Sequence, residues 1–223
     1  MRLFRVAPLC TLLAAALLAS CGKGGVDFVA RDEPWRADEE RACLASKIVS
    51  DNRFVTQRSA LGGPGACGAM RPLDVSATAA GRVSLRPAAT LRCPMVPAVE
   101  HWVQTVVEPA AQRHLGAPIA ELKVAASYAC RPMNHQSGGR LSEHGYANAL
   151  DVSSFHLADG RVVTVKGGWN GRPDEQAFLR AVHSGACQTF TTVLGPKADV
   201  FHHDHFHLDL ARHGRNGEIR ICK

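Results

Sequence analysis

Six cysteines constrain this chain more than any other feature: Cys43, Cys67, Cys93, Cys130, Cys187 and Cys222. They are widely spaced and no two form a CxxC pair, which argues against a zinc ribbon. Whether they pair depends on the compartment, and the N-terminus speaks to that. Arg2 and Arg5 precede an apolar run from about Val6 to Ala19. The run is shorter than the ~20 apolar residues of a membrane span, and a polar, glycine-containing stretch follows it. Residues 1–20 therefore read as a secretory signal, and Cys10 is lost with it. An even number of cysteines in an exported chain predicts up to three disulfides, with the pairing left open.

The end of the signal is more specific. Leu18-Ala19-Ser20-Cys21 resembles a bacterial lipobox. The resemblance implies cleavage before Cys21, lipidation of its thiol, and a chain anchored in the envelope membrane facing the periplasm. Gly22 rather than Asp follows the cysteine, which favours the outer membrane. Acyl chains bury CH₂ groups at about 0.8 kcal/mol each, so two or three hold firmly. Residues 21–40 read as the lipidated cysteine and a short tether. The 223 residues then leave 41–223 as one domain. Apolar residues at 46% and charged residues at 21% suit a chain with a buried core and exclude a mainly disordered one. The net charge of +6 is scattered, with no basic block, so no nucleic-acid partner is expected.

Periodicity predicts helices over Ala37 to Val49, Cys93 to Leu115 and Asp174 to Ala186. Pro109 should kink or end the second. Strands are expected over Arg53 to Gln57, Leu73 to Pro87, Leu122 to Ala129, Ala149 to Phe155, Arg161 to Val165, Phe190 to Leu194 and His205 to Leu210. Leu61 to Gly68 is turn-rich, and Ala158-Asp159-Gly160 joins two strands. The order predicts a single α+β domain: a central, mainly antiparallel sheet with flanking helices, stapled by disulfides.

Two segments carry chemistry. In His202-His203-Asp204-His205-Phe206-His207-Leu208-Asp209, strand alternation puts His205, His207 and Asp209 on one face. Phe206 and Leu208 then face the core. Two imidazoles and a carboxylate aimed together are a good start for a metal site, although a surface His-rich patch has the same composition. The second segment runs from Ser142 to Asp151. His144 and Asp151 are seven residues apart and would oppose each other on a straight strand, so a turn at Gly145 and Asn148 must intervene. A carboxylate entering a sheet face needs a metal or an arginine as partner.

Together, SxHxxxxAxD and a later DxHxH resemble the zinc peptidases of the D-alanyl-D-alanine carboxypeptidase, endolysin endopeptidase and murein endopeptidase group, most closely their extensin-like C-terminal branch. Ala126 to Arg131, Asn134, Phe178-Leu179-Arg180 and Val193 to Pro196 support it. The resemblance covers about residues 41–223. It implies one Zn²⁺ held by His144, Asp151 and His207, with a fourth position open, the pattern of catalytic rather than structural zinc. It implies Asp204 as the carboxylate that takes a proton from attacking water and returns it to the leaving amine. It implies Arg131 as a group that steadies an oxyanion or holds a substrate carboxylate. Ser142 caps a turn or bonds a ligand, His205 contacts substrate or a ligand, and Asp209 orients an imidazole or pairs with an arginine. The implied activity is hydrolysis of peptidoglycan stem peptides, as an endo- or a carboxypeptidase. A non-catalytic wall-binding lipoprotein and a metal buffer using His202, His203 and His205 remain alternatives. Two departures stand out. Ala147 occupies a position usually held by glycine, with Gly145 two residues earlier, and the turn survives if the position needs no positive φ. The base is an aspartate where the carboxypeptidases carry a glutamate. His101, His114, His156, His183 and His213 read as surface or core, and His135 and His202 carry no assigned role. Trp102 reads as core.

Overall fold

The computed structural model describes residues 27–31 and 33–223. The signal peptide and Cys21 lie outside the described residues, among which no helix is long and apolar enough to cross a membrane. In chain order the elements are α1 (Trp35–Ser46), β1 (Val55–Gln57), β2 (Leu61–Gly62), β3 (Gly68–Ala69), β4 (Leu73–Thr78), β5 (Val83–Leu91), α2 (Met95–Trp102) and α3 (Glu108–Leu115). They continue with β6 (Ile119–Ala126), β7 (Ala149–Leu157), β8 (Val162–Thr164), α4 (Val165–Gly168), α5 (Pro173–Thr189), β9 (Thr192–Leu194), β10 (Phe206–Asp209) and β11 (Ile221–Cys222).

Nine strands form the main sheet in the order β1-β4-β5-β6-β7-β10-β9-β11, with β8 added to β7. Only β5–β6 and β9–β11 are parallel; the other pairs in this sheet are antiparallel. The β5–β6 pair needs a crossover, and α2 and α3 supply it. The expected α+β domain with a mainly antiparallel sheet is thus the observed one.

Helices α2, α3 and α5 cover one face of the sheet. Trp102, Phe155, Phe178, Phe190 and Phe206 are fully buried there. Trp102 meets Phe155 and Phe190 edge-on at 6.3 and 6.1 Å, and Phe155 meets Phe178 at 5.1 Å. Such edge contacts add to the burial energy of the rings. Gly185 permits the close approach of α5, since a Cβ there would lie 2.3 Å from Val106 Cγ1.

Pro109 does not end the second helix. Val103–Val107 forms a π-turn, and Pro109 falls in the first turn of α3. A missing N–H costs little there. The six cysteines form three bonds: Cys43–Cys93, Cys67–Cys130 and Cys187–Cys222. The first ties α1 to the entry of α2. The second ties the β2–β3 hairpin to the loop after β6. The third ties the end of α5 to β11.

Residues 27–31, which the sequence places in the tether, lie against the 138–141 loop. The Val29 N–H donates to Gly139 O at 2.8 Å, and the Leu141 N–H donates to Val29 O at 2.9 Å. Phe28 packs with Cys67 and Leu141 in a small second cluster.

Candidate metal centre and its cavity

The centre is built where β7 and β10 run side by side. Their antiparallel register sets Asp151 directly opposite His207. Opposed residues share a face, so these two side chains must meet. On the other face, Leu150, Val152, Phe206 and Leu208 are buried in the core. Alternation along two strands therefore separates chemistry from packing.

His144 arrives by a different route. Glu143–Tyr146 is a 3₁₀ turn whose first N–H groups need acceptors, and the Ser142 hydroxyl accepts from the His144 N–H at 3.4 Å. Ala147 then adopts φ 51° and turns the chain into β7. The position usually held by glycine therefore does demand positive φ, and alanine meets the demand at a cost of about 1–2 kcal/mol. Gly145 serves a separate purpose. A Cβ there would sit 2.5 Å from Leu141 Cδ1 and 3.4 Å from Cys67 Sγ. The two small residues have not exchanged places; one makes space and the other bends the backbone.

His144, Asp151 and His207 converge, with one donor atom from each lying within 4.8 Å of the others. His144 Nε2 is 3.1 Å from Asp151 Oδ2 and 3.2 Å from His207 Nδ1. His207 Nδ1 is 2.9 Å from Asp151 Oδ1. The far nitrogens fix the tautomers. His144 Nδ1 must donate to the Ser127 carbonyl at 2.5 Å, since a carbonyl only accepts. His207 Nε2 donates to Asp209 Oδ2 at 2.9 Å. That leaves His144 Nε2, His207 Nδ1 and the Asp151 carboxylate facing one another in a buried space. Such a set is stabilised by positive charge, either the proton of a charged His207 or a metal ion in its place. The histidine and carboxylate donors suit zinc, and the residues fit the ion that the sequence implies.

The local pKa values express the same demand. Burial favours neutral His207, but its hydrogen bonds to the Asp151 and Asp209 carboxylates, and their charges, override it and push its pKa up to about 10. Burial likewise opposes ionised Asp151, yet His144 and His207 hold it well below the ordinary carboxylate range. Asp209 is also held low, because His207 outweighs its burial, and its other oxygen accepts from the Ala211 N–H at 2.9 Å.

A cavity of about 300 Å³ opens over this cluster. Two further imidazole–carboxylate pairs stand beside it. His205 Nδ1 is 2.8 Å from Asp204 Oδ1, and its Nε2 is 3.6 Å from Asp151 Oδ2. His202 Nδ1 is 2.7 Å from Asp199 Oδ1. His205 lies just before β10 rather than on it, yet still turns toward the cluster. Arg131, Ser142, His144, Asp151, His202, His205, His207 and Asp209 all line the cavity. Asp204 does not: its side chain is 47% exposed and turned to His205. The hydrogen bond to His205 holds its carboxyl below the usual range.

Several cavity residues carry no signal in local sequence. His202 and Asp199 form an i, i+3 pair across a turn, and that spacing was the one available clue. His213 lines the rim and shares a 2.7 Å hydrogen bond with Thr192. On the opposite wall Glu33 and Arg36 enter from the N-terminal side. Arg36 grips both oxygens of Glu143 at 2.6 and 2.5 Å and lies between the rings of Trp35 and Tyr146. Glu143 also accepts from Asn148 Nδ2 at 2.6 Å. The residue beside His144 is thereby fixed from two sides.

The family model for the extensin-like protein C-terminus matches residues 41–223, and the chain belongs to that family. No curated protein and no solved structure matches it. Arg36, Glu33 and Phe28 lie outside the matched residues, although they build one wall of the cavity and brace its rim.

Proposed function

We propose that this protein is an envelope-anchored peptidase that hydrolyses peptidoglycan stem peptides with one zinc ion held by His144, Asp151 and His207. The observation that carries the reading is the convergence of two imidazole nitrogens and a carboxylate at the floor of an accessible cavity. Zinc held there would supply a Lewis acid able to polarise an amide carbonyl and acidify water. The residues around it divide the remaining work. Asp209 holds the His207 ring and its tautomer, as carboxylates behind ligand imidazoles commonly do. His205 presents Nε2 toward the cluster with Asp204 behind it, so a proton taken from water passes to this imidazole and then to the leaving amine. Asp204 then acts through His205 rather than on the substrate. His202, backed by Asp199, is a second proton carrier on the same side. Arg131 offers its guanidinium to the developing oxyanion. Lipidation at Cys21 would keep the site beside the wall.

One observation favours a second reading, a wall-binding lipoprotein without catalysis. The carboxylate that the sequence assigns as base stands outside the cavity. The two readings separate by measuring bound metal and digesting purified muropeptides with the wild type, His144→Ala and His205→Ala. The peptidase reading expects one zinc per chain and cleavage by the wild type. His144→Ala should lose both, and His205→Ala should keep zinc but lose cleavage. A wild-type protein that carries one zinc and leaves every muropeptide intact sinks the peptidase reading. Full zinc retention by His144→Ala shows that the ligands are misassigned.

A further inference from the structure

A second cavity, of about 360 Å³, lies between α1 and the β2–β3 hairpin. None of His144, Asp151 and His207 lines it. Two charged side chains in its wall are almost wholly buried, Arg92 at 1% and Glu40 at 5% exposure.

Arg92 is held firmly in place. Its N–H donates to Ala147 O at 2.8 Å, and the next residue, Cys93, is bonded to Cys43 of α1. Within the guanidinium only Nη2 is satisfied, by Arg36 O and a Glu39 carboxylate oxygen, each at 3.1 Å. Nε and Nη1 meet no acceptor among the described residues. A guanidinium carries several N–H donors, and burying them without acceptors is costly. Burial outweighs the pull of Glu39 and, with the charge of Arg36, holds this group below the usual arginine range.

Glu40 presents the complementary shortfall. Its Oε1 accepts from the Arg71 N–H at 2.9 Å, its only hydrogen bond among the described residues. Its charge acts on Arg92, yet no ion pair joins the two, because Arg92 pairs with Glu39 instead. Unused donors and an unused acceptor therefore border one cavity without meeting. Arg36 also borders it, but is engaged by Glu33 and Glu143. Ala37, Ala60, Leu61, Ala69 and Met70 make the rest of the wall small and apolar.

An α-amino acid answers both shortfalls. Its carboxylate accepts from a guanidinium through strong charge-assisted bonds, and its ammonium donates to a carboxylate. The apolar wall suits a short alkyl side chain, in the usual pattern of a mostly apolar pocket with a few polar groups that fix orientation. We infer that this cavity binds the zwitterion of a small α-amino acid, with Arg92 holding its carboxylate and Glu40 its ammonium. The inference goes beyond the peptidase reading and does not depend on it, since neither residue belongs to the metal centre. Water also donates and accepts, and is the competing occupant.

The test is calorimetric titration of the full chain with L-alanine, D-alanine, alaninamide and N-acetylalanine. At least one enantiomer of alanine should bind at one site per chain. Alaninamide lacks the carboxylate and N-acetylalanine the ammonium, so each should bind at least about tenfold more weakly. Glu40→Gln keeps an acceptor for the Arg71 N–H but loses the charge, and should weaken alanine by a similar factor. Ala69→Phe fills the cavity without touching either charged group, and should abolish binding. Near-ultraviolet circular dichroism reports whether each variant is folded; if Glu40→Gln is not, Ala69→Phe decides. Failure of both enantiomers to bind at millimolar concentration overturns the inference and leaves water as the occupant. Equal affinity for alanine and alaninamide also overturns it, as does wild-type affinity in a folded Ala69→Phe or Glu40→Gln protein.

Discussion

The helix-covered face of the sheet and the cavity face are made by the same strands, yet they are stabilised by different physics. On β10, Phe206 and Leu208 enter a core of aromatic and aliphatic side chains, while His207 and Asp209 enter a polar cluster. The first face gains from removing apolar surface from water and tolerates no polar atom without a partner. The second buries charge and is satisfied only by an exact count of donors and acceptors, plus a cation. Stability should therefore live on one face and metal affinity on the other, although one residue of register separates them.

The largest expected effect breaks the core side of this contrast. Phe155 is fully buried and touches Trp102, Phe178 and Phe206. Phe155→Ala should cost about 3–5 kcal/mol of unfolding free energy, read by denaturant titration. Zinc affinity of the folded protein should stay near the wild-type value. A large loss of affinity at unchanged stability would show that the two faces are not separable.

The opposite substitution is Asp209→Asn, which leaves shape intact but weakens the hold on His207 Nε2. Zinc affinity should fall by about 10–100-fold, measured by competition with a chelator. The unfolding midpoint of the metal-free protein should move much less than for Phe155→Ala. Unchanged affinity would mean that Asp209 pairs with His207 only as a structural partner.

The contrast also explains what could be read in the sequence. The choice of His144, Asp151 and His207 as donors comes from the family resemblance, whereas alternation is local and exposes the polar face of His207 and Asp209. The core strands are legible for the same reason. Other features depend on contacts between distant parts of the chain and leave no periodic trace. Arg36 meets Glu143, Phe28 meets Leu141, and each cysteine meets a partner far along the chain. Pro109 is an intermediate case: its effect on a helix is local, but a π-turn just before it absorbs the misfit. The position of Asp204 outside the cavity turns on the shape of a loop, where strand alternation no longer applies.

The finest comparison lies within one turn. Gly145 and Ala147 are both small, for different reasons, and each substitution probes one of them. Gly145→Ala would press a methyl group against Leu141 and the Cys67–Cys130 bond. Overpacking of this kind should cost about 1–3 kcal/mol, and it should weaken zinc binding by shifting the turn that carries His144. Ala147→Gly relieves an alanine held at φ 51°. That relief, about 1–2 kcal/mol, is offset by about 0.5–1 kcal/mol of added freedom in the unfolded chain and by loss of a buried methyl. The net change in the unfolding midpoint should be close to zero, with zinc affinity unaltered. If Ala147→Gly instead raises zinc affinity, the strain at this position is displacing His144 from its best geometry, and the alanine is a device that loosens the metal centre rather than a tolerated substitution.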